Sequence, residues 1–397
     1  MTAWLYAPDA SGEIWTETLA VARAEQRAPS VQTARTAVDT ARAGLAYSRV
    51  PVVGNPIVSL RAMVGLPDTT AATYAVYLGL PIDVSGVRGR WSRETEFAVA
   101  QAQAELDAVR IDARADARLA YAEAAVAAER VRVTNARLET ARELLARTEA
   151  RVRASAANEL DRTLADREVA IAEAELAGAR RDRDAAFAHF RSAVDLGPSE
   201  AIELVAVDAP LFEPGLTREA AIQRAIARRP EPRAIEASRA RWLSAGDRLR
   251  AEAVAPLIVA GEAEYQSYQY LSFGASMTWS LPIVQMAQGA RANARAEAIA
   301  ASVRQTTTVR DLGRQAAAAW DALRGALDEY HALRDHAVPT FERTLALTET
   351  LFEAGSADWF RVLLARQELA SARLRALDAL RAAWNARVTL DRITARP

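Results

Sequence analysis

Two histidines in the second half of the chain are the residues whose type could support metal chemistry. His331 and His336 lie beside Glu329 and Asp335, and imidazole and carboxylate groups are common metal ligands. The two histidines are five positions apart, so they do not share a helix face as residues four apart do. His189, the third histidine, is distant in the sequence. A solvated helix face explains these residues better, and we expect no metal site.

Phosphate binding and catalysis are equally weakly supported. Gly86-Val-Arg-Gly89 has the glycines of a phosphate loop but lacks the Lys followed by Ser or Thr, so a strand-to-helix turn is the better interpretation. The chain has no Cys, which excludes thiolate nucleophiles, disulfides and cysteine metal sites. Carboxylates occur on charged helix faces, and no nucleophile lies beside a candidate base. The sequence therefore predicts neither an enzyme nor a cofactor.

The composition is typical of packed helices. Hydrophobic residues make up 51% of the 397 residues but aromatic residues only 6%, so the apolar content is largely Ala, Leu and Val. Charged residues cancel to a net charge of −1, and their interspersed signs favour solvated faces over a nucleic-acid surface. No apolar run reaches the roughly 20 residues of a membrane helix, and Met1 to Ala10 lacks the basic start and apolar core of a signal peptide.

Two similar junctions indicate a tandem duplication. Leu80-Pro-Ile ends one alternating segment and Leu281-Pro-Ile ends another, and each is followed by a short turn, Gly, Arg and a helical pattern. Three pairs of residues recur at a spacing of 201, 201 and 200 positions: Pro29 and Pro230, Pro81 and Pro282, and Asn158 and Asp358. The repeated unit is therefore about 200 residues long.

Each unit is predicted to contain a helix, a β-hairpin, a long helix and a second helix. Thr16 to Tyr47 reads as a helix that is broken or restarted at Pro29. A helical rod of roughly 60 residues would be about 90 Å long. The predicted organisation is an N-terminal tail at 1–15, a first repeat at 16–196 (hairpin about 56–82, rods 91–153 and 158–194), a linker at 197–216, and a second repeat at 217–393 (hairpin about 257–282, rods 289–352 and 358–393).

The hairpins alternate apolar residues with small or polar ones, which is the pattern of strands with two different faces. The predicted lipid-facing set is Val76, Leu78, Leu80, Phe273, Ala275 and Met277. The opposite face is the candidate barrel lumen, with Glu262, Glu264, Ser276 and Thr278. A membrane-interface belt explains a third set better than a ligand cage does: Tyr265, Tyr268, Tyr270, Phe273 and Trp279.

Four strands cannot span a membrane alone, because in lipid every backbone donor and acceptor must be paired and open sheet edges are not tolerated. Two copies would give eight strands, whose interior is filled by side chains. Three copies would give twelve strands and leave space for a lumen. We therefore expect a homotrimer.

The order of these motifs resembles that of the TolC-like outer-membrane efflux proteins, and within that family the chain is similar to the CzcC-like metal-efflux subgroup. The resemblance covers both repeats, from about Thr16 to Ile393. It is carried by Leu80-Pro-Ile-Asp-Val-Ser-Gly-Val-Arg-Gly-Arg90, by Leu281-Pro-Ile with Gln288-Gly-Ala-Arg291, by Asn55-Pro56, and by the tip Phe352-Glu-Ala-Gly-Ser-Ala-Asp-Trp-Phe-Arg-Val-Leu-Leu-Ala-Arg366.

The resemblance implies a mainly α fold with a small β part, in which a trimeric 12-strand outer-membrane β-barrel is continued by a periplasmic α-helical barrel. It implies the outer-membrane channel of a tripartite efflux system in a Gram-negative bacterium. Such a channel is a passive conduit for substrates such as metal ions or drugs. An inner-membrane pump and a periplasmic adaptor (membrane fusion) protein deliver them, and no cofactor is implied.

The turns between paired rods are the candidate adaptor-docking tips: Ser155, Ala156 and Asn158 in the first repeat, and Gly355, Ser356 and Asp358 in the second. Asp161 and Arg361, which are 200 positions apart, are the candidate pore gate, with three of each alternating in sign. Better-known family members carry gating carboxylates beside the second tip, whereas Arg361 and Leu364 here argue against an all-acidic ring. Ordinary surface charges are the alternative for both gate residues.

A structural coiled-coil protein of the cytosol or periplasm is the alternative function. The Ala-rich rods support it. The hairpins favour the channel, because a coiled-coil spacer needs no strand pairs at equivalent points of a duplication.

Overall fold

The computed structural model describes residues 13–50, 54–64, 72–155, 157–198, 200–266, 270–357 and 359–396. The first half contains β1 (Glu13–Trp15), α1 (Glu17–Arg27), α2 (Pro29–Ser48), β2 (Ile57–Val64), β3 (Ala72–Ile82), α3 (Val87–Arg153), α4 (Glu159–Val194) and β4 (Ile202–Leu204). The second half contains α5 (Arg218–Arg228), α6 (Glu231–Glu252), β5 (Leu257–Gln266), β6 (Tyr270–Thr278), α7 (Gln288–His331), a π-helical turn (Ala332–Ala337), α8 (Val338–Glu353) and α9 (Trp359–Ile393).

The chain forms two compact units. Unit 1 comprises 1–32, 109–229 and 311–397, and unit 2 comprises 33–108 and 230–310. None of the helices in the described part of the chain combines the length and apolar content needed to cross a bilayer.

The predicted break at Pro29 is confirmed. Helix α1 begins after Thr16, whose hydroxyl accepts a hydrogen bond from the Leu19 N–H at 3.3 Å, and it ends at Arg27. Helix α2 then begins at Pro29, because proline has no N–H to lose at a first helical position. The second repeat starts in the same way, with Thr217 accepting a bond from the Ala220 N–H at 3.1 Å.

Unit 1 contains two equivalent hydrophobic cores, one from each repeat. In the first, the Tyr121 hydroxyl donates to the carbonyl oxygen of Trp15 at 3.2 Å, and Trp15 meets Phe190 edge to face at 5.4 Å. In the second, the Trp320 indole N–H donates to the carbonyl oxygen of Leu216 at 3.0 Å. Small alanines on α1 and α5 fill both cores and let the helices approach closely.

The predicted tail and the predicted linker both contribute a short strand to this packing. Within the predicted tail at 1–15, strand β1 pairs in parallel with β4, which lies in the predicted linker at 197–216. Trp15 is buried in the first core. The packed fold therefore extends into residues 13–15 of the predicted tail and 202–204 of the predicted linker. The physical reason is that burying the large apolar side chain of Trp15 is more favourable than leaving it in water.

The rod predicted at 289–352 contains a π-helical turn at Ala332–Ala337. Pro339 lies two residues after this turn. Proline cannot donate to the helical hydrogen-bond ladder, and its ring clashes with the carbonyl four residues earlier. A π turn relieves this conflict by accommodating one extra residue. The corresponding helix of the first repeat, α3, has no proline and runs unbroken from Val87 to Arg153.

Unit 2 contains both hairpins, joined in one antiparallel sheet. The strand order is β2-β3-β5-β6, so the return strand of the first hairpin pairs with the first strand of the second. The connections at 65–71 and 267–269 lie outside the described residues.

Candidate functional site

The sheet has one continuous apolar face. Residues opposite each other in register share a face, and the six predicted lipid-facing residues all fall on one side. Together with their partners on β5, they lie in three rows across β3, β5 and β6: Val76, Ala263 and Phe273; Leu78, Gly261 and Ala275; Leu80, Val259 and Met277. Most of these side chains are exposed in the single chain.

The other face carries the predicted lumen residues. Glu262 lies between Tyr77 and Gly274 in register, and Glu264 lies between Ala75 and Ser272. Ser276 and Thr278 continue the same face on β6. The Gln266 amide donates to Glu264 at 2.9 Å, and no ion pair of the described residues includes either glutamate. This face is therefore polar, and it carries Arg61 of β2 in the same cross-strand row as Glu264.

Both outer strands have an open edge. Among the residues that the structure describes, β2 pairs with β3 alone and β6 with β5 alone, so each presents a row of unpaired backbone groups on its outer side. Of the predicted aromatic belt, Tyr265, Tyr270 and Phe273 lie on the strands, and the Trp279 indole N–H donates to the Ala255 carbonyl at 3.1 Å. Tyr268 lies outside the described residues.

The first strand-to-helix turn is organised by Asp83, and it is not a phosphate loop. The carboxylate accepts hydrogen bonds from the N–H groups of Ser85 and Gly86, both at 2.9 Å. It also accepts bonds from the Val87 and Arg88 N–H groups at 3.3 Å, so it caps α3. Partial burial opposes ionisation, but the bonds from Arg88, Ser85 and Val87 outweigh it and lower the pKa of Asp83.

The two predicted docking tips have the same backbone conformation. Ser155 and Gly355, which are 200 positions apart, adopt left-handed φ values of 55° and 73°. After the first turn, Asn158 accepts a bond from the Asp161 N–H at 2.8 Å and caps α4. After the second, the Ser356 N–H donates to the Leu351 carbonyl at 2.8 Å. Ala156 and Asp358 lie outside the described residues.

Side chains of the two tips pack together within unit 1. Leu144 of α3 and Ala165 of α4 form one buried cluster with Trp359 and Leu363 of α9. The guanidinium of Arg151 lies 5.4 Å from the centre of the Phe352 ring, which makes a cation–π contact across the same cluster. The sequence predicted equivalent tips, and the structure brings them side by side.

Asp161 already has a local role. Its carboxylate accepts a hydrogen bond from the Asn158 N–H at 3.1 Å, which completes a capping box with the bond that Asn158 accepts. Arg361 is exposed on α9, and no ion pair within the described part of the chain joins it to Asp161. In the single chain Asp161 is thus a helix cap and Arg361 a surface charge. Nearby, a hydrogen bond from Arg162 lowers the pKa of Glu159.

Sequence reasoning missed the exposed apolar residues of the tips. Leu160 and Phe360, 200 positions apart, lie in the first turns of α4 and α9, and they are 63% and 52% exposed. Leu364 is also exposed one turn after Phe360. The repeat spacing was the signal that could have found the first two, because large apolar residues recur at one equivalent surface position.

A buried ionic cluster behind the tips was also missed. The Glu168 side chain is 5% exposed and accepts bonds from Arg137 at 2.7 Å and from Gln367 at 2.5 Å. It thereby joins α3, α4 and α9. A cavity of about 710 Å³ adjoins it, and its wall includes the Arg366–Glu349 ion pair at 2.6 Å. These partners satisfy the Glu168 carboxylate, which would be costly to bury without them.

The described residues contain no group of three His, Cys, Asp or Glu side chains that could hold a metal ion. His336 lies in the π turn and His331 ends α7, and both are exposed.

The fold is similar to that of solved membrane proteins. A membrane protein from Pseudomonas aeruginosa matches with a TM-score of 0.81 at 21% identity, covering 97% of this chain and 91% of that one. The outer membrane channel MtrE of Neisseria gonorrhoeae, in its open state, matches at 0.77 and 19%, covering 95% and 88%. CusC, solved in a study of transmembrane channel formation, matches at 0.79 and 14%, covering 98% and 95%. A comparison with curated protein sequences gives no significant match.

These likenesses define the fold as that of outer-membrane channels. The profile of the outer membrane efflux protein family matches the chain twice, over residues 20–194 and 221–396. The chain belongs to the outer membrane efflux protein family and carries its domain in duplicate. It is the channel component of a tripartite efflux system in a Gram-negative outer membrane, and this family consists of transport conduits and not of enzymes. The predicted family is thereby confirmed.

Proposed function

We propose that three copies of the chain close their sheets into a twelve-stranded barrel, with the apolar face toward lipid and the face of Glu262, Glu264, Ser276 and Thr278 toward the lumen. The single observation that carries this proposal is a sheet with two open edges and one exposed apolar face. In lipid an open edge leaves backbone groups unpaired at several kcal/mol each. Pairing the β6 edge of one copy with the β2 edge of the next removes every edge when the ring closes.

Mass measurement in amphipol tests the assembly. We expect a particle of three times the 43.0 kDa chain mass. A stable monomer that stays in solution without detergent would overturn the channel assembly and favour the structural coiled-coil alternative.

The substrate class belongs to the same proposal. The chain is similar in pattern to the CzcC-like subgroup, which supports metal ions as exported substrates, with drugs as the alternative. Export of each from cells that carry the channel with its inner-membrane pump decides between them. Loss of metal tolerance on deletion, with drug tolerance unchanged, is the result that metal export predicts.

The tips are proposed to dock the periplasmic adaptor. Leu160 and Phe360 support this, because exposed apolar side chains at the two tips are suited to burial by a partner. The chain has no native Cys, so a Gly355→Cys variant takes a bulky maleimide at one site. We expect the label to block export and leave assembly intact. The same label at Arg181→Cys, on an exposed part of α4, is the control, and equal export by both would move the docking site elsewhere.

Asp161 and Arg361 are proposed to alternate around the closed opening of the trimer. Each such pair is worth only about 0 to 1 kcal/mol where water reaches it, so the bias comes from three related pairs. Arg361→Asp should raise single-channel conductance at low salt, and adding Asp161→Arg should restore the closed state. Because Asp161 also caps α4, Asp161→Asn is the control that keeps a capping side chain without the charge. Equal conductance of wild type and Arg361→Asp would rule this gate out.

A further inference from the structure

The cavity of about 710 Å³ in unit 1 lies between packed helices. Its wall is formed by one face of α3, by α9, by α7 and α8 on either side of the π turn, and by Glu168 of α4. The Arg132 side chain at its rim is 78% exposed, so the cavity is open to solvent. The apolar part of the wall includes Val133, Val338, Leu345, Leu369, Leu377 and Leu380. A largely apolar cavity of this size between helices is typical of a site for an organic ligand.

The second repeat is less filled here than the first repeat is at the equivalent positions. In the first repeat, Leu138 and Leu176 are 5% and 4% exposed and belong to one buried cluster of α3 and α4. The positions 200 further along hold Val338 and Ala376, which line the cavity. Smaller side chains leave a volume that larger ones would fill. The pairing of two long helices in this fold therefore does not require the cavity.

The π turn forms part of the wall. Tyr330 at the end of α7, Arg334 in the π turn and Val338 at the start of α8 all line the cavity. The guanidinium of Arg334 lies 5.3 Å from the ring centre of Tyr330. A π turn inside a helix is frequently found at a functional site. The backbone irregularity and the open space coincide in this protein.

The charges of the wall indicate the sign of a ligand. Each of its five arginines is paired with a carboxylate: Arg132 with Glu129, Arg137 with Glu168 and Glu175, Arg334 with Asp335, Arg366 with Glu349, and Arg373 with Glu342. Glu143 also lines the cavity, and its side chain has no ion pair or hydrogen bond among the residues that the structure describes. An anion would therefore have to displace an existing ion pair, whereas a cation finds a free carboxylate.

We propose that this cavity binds an amphipathic organic cation, with its apolar body against the leucines of α8 and α9 and its positive charge toward Glu143. The ligand contacts α3, α8 and α9 at once, so its binding stabilises their mutual arrangement. The site lies wholly in unit 1, which makes it independent of the sheet and of the proposed barrel.

Equilibrium dialysis of the full-length protein in phosphatidylcholine nanodiscs tests the site. The probes are tetraphenylphosphonium and tetraphenylborate, which carry the same four phenyl rings and opposite charges. Empty nanodiscs measure the partition of each probe into lipid. We expect saturable binding of one tetraphenylphosphonium per chain, and tetraphenylborate should bind at least roughly tenfold more weakly because it must displace an ion pair. Equal affinity for the two probes, or no binding beyond that of empty nanodiscs, would overturn the proposal.

Ala376→Leu tests the location by restoring the side chain of the first repeat. It should fill part of the cavity and weaken the saturable binding of tetraphenylphosphonium severalfold. Ala382→Leu adds the same side chain at an exposed position of α9 and is the control. Circular dichroism verifies that both variants fold. Undiminished binding by folded Ala376→Leu would mean that the probe does not occupy this cavity.

Glu143→Gln tests the recognition of charge at an exposed position, where folding is not at risk. The affinity for tetraphenylphosphonium should fall about two- to fivefold at low salt and less at high salt. Glu139→Gln is the control, because Glu139 lies one turn away outside the wall and accepts a hydrogen bond from Asn135 at 2.9 Å. An unchanged affinity in Glu143→Gln would contradict the proposed role of this carboxylate. Saturable binding by a particle of monomeric mass would keep this site and reject the barrel.

Discussion

The two strand-to-helix turns occupy equivalent places in the repeats but are held by different side chains. Gly86 and Ala287, 201 positions apart, share the left-handed conformation with φ values of 66° and 54°. In the first turn the left-handed residue is Gly86, and the Asp83 carboxylate accepts hydrogen bonds from the N–H groups of the turn. The second has an alanine, and the Gln288 amide accepts from the Met286 N–H at 3.1 Å and donates to the Val284 carbonyl at 3.0 Å.

The difference shows that the duplication preserved a backbone conformation while its chemical support changed. A charged acceptor forms stronger hydrogen bonds than a neutral amide, and glycine adopts positive φ without the steric cost that alanine has. We therefore expect the first turn to be the more stable of the two. Substitutions at equivalent positions test how far the equivalence extends.

The largest expected effect tests whether the strands before the turns are equivalent. Val76 and Met277 are 201 positions apart and lie on the same apolar face. Arg at the bilayer midplane on a lipid-facing side costs roughly 2 to 4 kcal/mol, and much less on a lumen side. Val76→Arg and Met277→Arg should both impair outer-membrane assembly, measured as the folded fraction in membranes. Ser276→Arg is the control on the opposite face, and if it impaired assembly as much as Met277→Arg, the face assignment would be wrong.

Loss of the charged cap should have the next largest effect. Asp83→Ala removes the acceptor of the first N–H groups of α3 and should destabilise the protein by about 1 to 2 kcal/mol. Val284→Ala, at the equivalent position of the second turn, should change stability little because that side chain is exposed and caps nothing. Guanidinium unfolding in detergent, followed by circular dichroism, measures both. Equal changes in stability would mean that the Asp83 carboxylate does not stabilise the first turn more than Val284 stabilises the second.

The pH dependence of the first turn follows from the same carboxylate. The pKa of Asp83 in the folded protein lies below its ordinary value of 3.8, so ionisation stabilises the fold. This contribution is fully present above the unfolded pKa, and it declines as the pH falls below about 3.8 toward the folded pKa. The stability difference between wild type and Asp83→Asn should therefore narrow in that range and be constant near pH 7. A difference that widened on acidification would have the wrong sign for this cap.

Much of this arrangement could be predicted from local sequence. Period-two alternation identified the faces around Met277 and Ser276, and Pro29 identified the start of α2, because both signals arise within a few residues. The pairing of β3 with β5 could not be predicted, since it joins segments about 180 positions apart whose alternation fits several partners. The contact of Tyr47 with Arg88, 41 positions away, was missed for the same reason.

The gate and tip residues show a second limit. The repeat spacing located Asp161 and Arg361 as equivalents, but spacing cannot distinguish a capping carboxylate from one that faces a pore. Only the hydrogen bond between Asp161 and the Asn158 N–H reveals the local role. The π turn is a case between these two. Pro339 indicates that a regular helix cannot continue, but the sequence does not predict which backbone conformation the helix adopts there.

Adding a side chain to the first turn should have a smaller effect than removing its cap. At Gly86 an added Cβ would meet no other atom within 4 Å, so Gly86→Ala introduces only conformational strain. The left-handed region costs an L-residue roughly 1 to 2 kcal/mol, offset in part because alanine loses less entropy on folding than glycine does. We expect a net loss of about 1 kcal/mol by the same unfolding measurement. Gly89→Ala is the control, since Gly89 lies within α3, also has open space around it and has no positive φ. A larger loss of stability in Gly89→Ala than in Gly86→Ala would show that the positive φ of Gly86 is not the cause of the effect.

The smallest expected effect is a gain in stability at the second turn. Ala287→Gly relieves the strain of a positive φ at a non-glycine residue, and the greater flexibility of glycine in the unfolded chain cancels part of the benefit. The net result should be a stabilisation of about 0.5 kcal/mol, opposite in sign to Gly86→Ala at the equivalent position. Ala290→Gly, inside the first turn of α7, should destabilise by roughly 0.5 to 1 kcal/mol, because glycine is unfavourable in a helix. A loss of stability in Ala287→Gly would contradict this prediction. It would mean that the hydrogen bonds of the Gln288 amide depend on Ala287, so that the second turn depends on its own residues as much as the first does.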